Sequence, residues 1–153
     1  MGSPLRVPRS LEARKADTLA TLSTQAVDVW VATASPAGRP HLVPLSLGWV
    51  DGRVVLALEG SSLTARNLRA TGTARLAVGP TRDVVMIDAV LESEVDQGAD
   101  ERLGAAYADQ ADWDPRGSEG YVYLVLRPER VQAWREVEEA ADRDLMRDGR
   151  WLV

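Results

Sequence analysis

The sequence predicts a mostly β fold, a small antiparallel barrel or sandwich of about six strands decorated by two or three short helices. Three observations predict it. Short runs that alternate or are rich in β-branched residues recur along the chain, from Val27 to Ser35 and again at 40–50, 53–59, 73–79, 83–95 and 121–137. Turn residues separate them, notably Pro36–Ala37–Gly38 and Asp51–Gly52. Segments of helical period are few and short.

Ser10 is placed to cap a first helix over about 10–23, with Glu12 in its first turn near the positive end of the dipole and Leu11, Leu19 and Leu22 able to share a face. The period then changes to that of strands. "VDVWVATAS", "PHLVPLSLGWV" and "RVVLALE" read as a three-strand meander from Val27 to Glu59, its second hairpin closed by Asp51–Gly52. Pro40 and Pro44 cannot donate to a ladder, so the second strand reads as an edge, a bulge, or a strand whose free backbone around Val43 to Ser46 faces a ligand. Ser61 or Ser62 caps a short helix over 63–70, ended by Gly72. "TARLAVG" is a fourth strand and "DVVMIDAVLESEV" a long fifth, of the kind that bends between the two sides of a barrel. Residues 97–111 read as a helix and 112–120 as a polar loop. "YVYLVLRPERVQAWREV" is a sixth strand with a break at Arg127–Pro128. The tail, 137–153, joins an acidic helical piece to Asp148–Gly149 and an apolar end that docks on the body or on a partner.

Composition bounds the function. The 153 residues suit one domain, with a helix at about 10–23, a barrel at about 27–136 and the tail. No apolar run approaches the roughly 20 residues of a membrane span, and the segment from Met1 to Ser10 lacks the apolar stretch of a signal peptide. There is no cysteine, hence no disulfide framework or thiolate chemistry, and a cytoplasmic location is expected. A net charge of −5 argues against a nucleic-acid partner.

Conventional catalytic constellations are missing. His41 is the sole histidine, which excludes a histidine metal cluster and leaves a structural role as its first reading. Asp88 and Glu92 share a strand face by period two and could form an acid–base pair, or simply face solvent. No glycine-rich nucleotide loop of either common spacing is present. What remains is "GSSLTARNLRAT", residues 60–71. A helix start preceded by Gly60–Ser61–Ser62 presents free N–H groups and hydroxyls, and Arg66 adds a forked donor. By local sequence it is a good helix cap first and a phosphate cradle second.

The order and wording of "VATASPAGRPHLVPLSLGWVDGRVVLALEGSSLTARNLRATGTARLAVG" and "DVVMIDAVLE" resemble the pyridoxamine 5′-phosphate oxidase-like flavin and deazaflavin oxidoreductases. The resemblance covers about residues 11–136. It implies a split β-barrel that acts as a homodimer on a small-molecule substrate, with FMN or the deazaflavin coenzyme F-420 bound at the dimer interface. By the same resemblance Val43, Pro44, Leu45 and Ser46 run beside the cofactor ring, Ala57 and Leu58 flank it, and Ser61, Ser62, Thr64, Arg66 and Asn67 take its phosphate. No catalytic side chain and no metal ligand is implied. A non-catalytic flavin- or haem-binding barrel is the alternative, with His41 as the one conceivable haem ligand. Two departures stand out. Leu63–Thr64 occupy the place of a pair ending in lysine in the family's oxidases, which implies weaker FMN binding or another cofactor, and Asp83 stands near the place of a glutamine that reaches the flavin. Counterparts of the oxidase's substrate residues near the C-terminus are lacking, so pyridoxamine phosphate oxidation is not the expected activity. Acceptor specificity is expected from the 110–120 loop and the tail, where Trp113, Trp134 and Trp151 either wall a pocket or fill the core.

Overall fold

The computed structural model describes residues 7–153; the reading of the segment before Val7 lies outside them. In chain order the elements are α1 (Leu11–Leu22), β1 (Asp28–Ala34), β2 (Pro40–Ser46), β3 (Gly48–Val50), β4 (Arg53–Glu59), α2 (Leu63–Thr71), β5 (Thr73–Val78), β6 (Val84–Asp96), α3 (Glu101–Ala111), β7 (Tyr121–Trp134), α4 (Val137–Ala140), β8 (Asp144–Arg147) and β9 (Arg150–Trp151). The fold is mostly β and its strand pairings are antiparallel, as expected.

The meander read over 27–59 needs one correction. β2 pairs with β1 alone, whereas β4 pairs with β3 and β7. The strand read as continuous from Pro40 to Val50 breaks at Leu47, whose side chain is fully buried and whose N–H donates to the Val27 carbonyl at 3.0 Å. The hydrogen-bonded order is β2-β1-β5-β6-β7-β4-β3. Its two edge strands, β2 and β3, are separated in sequence by one residue. The sheet must therefore curl until its edges meet, which closes a barrel with a split between β2 and β4. The prolines of β2 sit on this edge, where a missing donor leaves no ladder bond unmade.

Long strands make the curl possible. β6 shifts register at Asp88/Ala89 and again at Leu91/Ser93. Opposite the first shift, Ala89 pairs with Pro128 and Asp88 with Arg130, so Glu129 is the extra residue of a bulge. The bulge absorbs the proline, and β7 runs unbroken through Arg127–Pro128 where the sequence suggested a break. Asp51 and Gly52 both have positive φ (52° and 73°), the backbone a tight hairpin demands. α3 starts later than expected, at Glu101, because Asp100 caps it by accepting from the Leu103 N–H at 3.0 Å. The tail docks on the body, as a short helix followed by the β8–β9 hairpin laid along β7.

Two cores result. Inside the barrel pack Val29, Val31, Leu47, Val54, Leu56, Leu58, Leu76, Ile87, Leu124 and Leu126. On the other face of β4 and β7, Val55, Ala57 and Tyr123 pack against Leu103, Tyr107 and Ala111 of α3. Period two sends alternate β4 residues to these two cores, so the strand is apolar almost throughout.

Candidate functional site

The split between β2 and β4 is the candidate site. It forms an open cleft of about 400 Å³ lined by Pro44, Leu45 and Ser46 from β2, Ala57, Leu58 and Glu59 from β4, Ser62, and Trp113 and Tyr121. Six of these, Pro44, Leu45, Ser46, Ala57, Leu58 and Ser62, are cofactor residues implied by the resemblance, and Trp113 is one of the three tryptophans expected either to wall a pocket or to fill the core. The unpaired edge of β2 runs along it, so backbone groups, and not only side chains, are offered to a ligand.

At one end lies the start of α2. Ser62 is its N-cap and accepts from the Ala65 N–H at 3.2 Å; Gly72 closes the helix in the left-handed conformation, φ 76°. Ser61 stands exposed beside the cap. Arg66 is exposed and forms no ion pair or side-chain hydrogen bond within the described residues. Arg69, one turn on, is by contrast spent on Glu94 and the Gly60 carbonyl. The helix start, two serines and an uncommitted guanidinium make the local potential favourable to an anion, while Glu59 on the cleft wall opposes it.

Thr64 and Asn67 do not join this cradle. Each is 3% exposed, and the Asn67 amide donates to Thr33 Oγ1 at 3.1 Å, tying α2 to β1 inside the barrel. Helical period turns positions 64, 65, 67 and 68 inward together and leaves 66 outside. Val43 contributes backbone to the β2 edge while its side chain packs on the barrel core.

The far wall is aromatic. Trp113 follows α3, which ends at Asp112 in the left-handed region (φ 59°). Its ring meets Tyr121 edge-on at 5.7 Å and Tyr107 at 6.3 Å, and Tyr107 meets Tyr123 at 5.7 Å. Gln97 steadies the loop behind it, accepting from the Gly117 N–H at 2.8 Å and donating to the Tyr121 carbonyl at 3.0 Å. The Gly60 N–H donates to the Gly120 carbonyl at 2.8 Å, so loop and cradle are joined. Burial pushes the hydroxyls of Tyr107 and Tyr123 up, so both stay protonated near neutrality.

Other candidates lie elsewhere. Asp88 pairs with Arg75 at 2.7 Å and Glu92 with Arg53 at 2.8 Å, which separates them as an acid–base couple. Asp83 bridges to Arg135 at 3.4 Å, away from the cleft. Trp134 lies under Arg143 at 5.1 Å and Trp151 under Lys15 at 4.9 Å; of the three tryptophans in question only Trp113 walls the cleft. His41 is half-buried on β2, and no cluster of metal-ligating side chains occurs among the described residues. Sequence reasoning missed Glu59, Tyr121 and Tyr107. The first two are cross-strand partners, Glu59 opposite Tyr121, a relation visible only once β4 is known to pair with β7.

A family model spans most of this fold. The model described as pyridoxamine 5′-phosphate oxidase matches residues 12–135. The chain belongs to that family. Solved structures extend the likeness of fold for this pyridoxamine 5′-phosphate oxidase family member. A conserved hypothetical protein from Mycobacterium tuberculosis is 20% identical, with 90% of this chain and 93% of that one covered at a TM-score of 0.67. A haem-binding protein from Mycobacterium smegmatis is 23% identical, with 86% of this chain and 57% of that one covered at 0.61. An F-420 reductase is 19% identical, with 73% of this chain and 94% of that one covered at 0.58. No curated protein matches the chain by sequence.

Proposed function

We propose that the protein is an oxidoreductase that binds FMN or the deazaflavin coenzyme F-420 in the split between β2 and β4 and acts, as a cytoplasmic homodimer, on a small organic substrate. One observation carries the reading: a cleft with an unpaired strand edge along one side ends at a helix N-terminus with an uncommitted arginine. That shape suits a flat ring joined to a phosphate. The family membership and the fold shared with an F-420 reductase support it.

The residues fit such a group. Pro44, Leu45 and Ser46 would run beside the ring, Ala57 and Leu58 would back it, and Ser61, Ser62 and Arg66 would hold the phosphate. When bound, the cofactor supplies hydride transfer; the protein binds, orients and excludes water. Leu45 and Leu58 desolvate the cleft, and the β2 backbone fixes the plane of whatever lies along it. Thr64 and Asn67 brace the helix from within, so that its first N–H groups hold their direction. Glu59 lowers phosphate affinity and Arg66 offsets it.

The test is an anaerobic titration of the purified protein with each cofactor, followed by absorbance. Saturable binding of one of them is expected, and no binding of either at micromolar concentration overturns the reading. The fold shared with a haem-binding protein supports a second reading, non-catalytic haem binding through His41. A Soret band lost in His41→Ala would favour it.

A further inference from the structure

The cleft carries a charge that the protein leaves unanswered. Glu59 is exposed on the cleft wall, and its carboxylate forms no ion pair or hydrogen bond among the described residues. The arginines of this region are turned elsewhere. Arg69 donates to the carbonyl of Gly60, the next residue, yet pairs with Glu94, its Nε 3.0 Å from Oε1. Arg116, on the loop after α3, pairs with Asp114 at 2.8 Å.

Aromatic rings stand beside this carboxylate. Glu59 and Tyr121 are the end pair of the β4–β7 ladder, and directly opposite residues hold their Cβ atoms about 5 Å apart on one face of a sheet. By period two this is the face of Ala57 and Tyr123, which α3 covers. α3 ends at Ala111, and beyond it the ring that meets Tyr121 is that of Trp113, at 5.7 Å and 79°. Two rings at nearly a right angle form a corner, and all three residues line the cleft, Trp113 with 37% of its surface exposed. The faces of aromatic rings are electron-rich, so the corner and the carboxylate attract the same thing, a cation. Rings offer no lone pairs to N–H donors, whereas N-methyl groups need none.

We propose that Glu59, Tyr121 and Trp113 form a subsite for an N-methylated ammonium group, the head of the protein's small organic substrate. This deepens the reading above and rests on it for the use of the cleft. With the cofactor ring along β2, the head group stands at the opposite, aromatic wall. The Ser62 N–H donates to the Glu59 carbonyl at 3.0 Å, so the carboxylate and the phosphate cradle belong to one turn. A cation on Glu59 removes its repulsion of the phosphate, and by linkage substrate and cofactor each tighten the other's binding.

The probes are choline, 3,3-dimethylbutan-1-ol (the same shape with carbon in place of the charged nitrogen) and glycine betaine, which adds a carboxylate. Each is titrated calorimetrically into the full chain at constant ionic strength, without cofactor and after loading with whichever of FMN and F-420 binds. Choline should bind roughly three- to thirtyfold more tightly than the neutral alcohol, the range of a partly exposed cation–π contact with one ion pair, and more tightly than betaine. Glu59→Gln and Trp113→Leu should each remove most of that preference, Glu59→Gln with its melting temperature unchanged. Of the five indole N–H signals in isotope-labelled protein, the one missing from Trp113→Leu should move when choline binds. Glu59→Gln should also tighten cofactor binding and abolish its coupling to choline. Equal affinity for choline and the alcohol, a preference intact in Glu59→Gln, or cofactor binding weakened by choline overturns the proposal and leaves the cofactor reading standing. A choline preference that depends on Glu59 and Trp113 in a protein binding neither FMN nor deazaflavin keeps the subsite and overturns the cofactor reading.

Discussion

At the scale of single residues the site depends on what each side chain is free to do. In the cradle Arg66 forms no ion pair among the described residues, and the cradle has no lysine, since the chain's one lysine is Lys15 on α1. Charge-assisted hydrogen bonds contribute about 1.5–3 kcal/mol, so Arg66→Ala should weaken cofactor binding by roughly ten- to a hundredfold. The folded protein should be untouched, because the side chain makes no hydrogen bond or ion pair among the described residues; a fluorescence titration beside a thermal melt checks both halves. Asn67→Ala should do the opposite. It removes a buried hydrogen bond to Thr33 and leaves that hydroxyl unpaired, so it should cost about 1–3 kcal/mol of stability, read by urea unfolding. Local chemistry pointed to Arg66 as a forked phosphate donor, and the resemblance added Asn67. What neither held was the direction of the helix, since the inward turn of positions 64 and 67 follows from how α2 meets β1.

At the scale of elements, the chain ends are clasped to each other. Glu139 of α4 accepts from Arg9 Nη2 at 2.7 Å and Nε at 2.9 Å, from the Arg9 N–H at 2.9 Å and from the Arg135 N–H at 2.9 Å. These bonds, the Arg9 side chain foremost, hold the Glu139 carboxyl down at about 2, and its side chain is 5% exposed. A carboxyl lowered in the folded state stabilises above its unfolded value of 4.5 and loses that contribution as pH falls toward 2. The contribution is roughly 3 kcal/mol. Urea midpoints measured from pH 6 down to pH 2.5 should therefore fall, and fall less in Glu139→Gln; equal slopes would show that the clasp does not titrate. Asp144 is held at about 2 as well, first by Arg147, and its share persists in the variant. This clasp was not legible in the sequence, because 130 residues separate its partners. Strands, hairpins and the caps of α1 and α2 were legible, because period, turn residues and capping hydroxyls act locally. The break at Leu47 was not: a buried leucine between two strand-like runs looks the same whether the chain continues or crosses to the opposite edge of a barrel. The bulge at Glu129 was hidden for a similar reason, since its cause is the register of β6.

At the scale of the whole molecule, the outer face of β1, β2, β5 and β6 is unfinished. Trp30 is 52% exposed and Leu42 59% exposed. Register puts Trp30 opposite Pro44 and Ala77, and Leu42 opposite Ala32, so all share that face. Beside them lies a shallow depression of about 470 Å³ lined by small side chains, among them Ala32, Ala34 and Thr73, with the Arg75–Asp88 pair within it. A knob and a hollow on one surface suit a two-fold contact, in which each copy's knob enters the other's hollow. Pro44 belongs both to this face and to the cleft, so a second copy seated here would also wall the split and shield it from water. The proposed homodimer accordingly predicts that assembly and cofactor binding fail together. Light scattering should give the wild type twice the chain mass, and Trp30→Glu or Leu42→Glu should give the mass of one chain with its circular dichroism unchanged. Cofactor affinity should drop in the same variants even though neither residue lines the cleft. A monomeric wild type that binds the cofactor, or a monomeric variant that binds it as tightly as the dimer, would show that one copy completes the site alone.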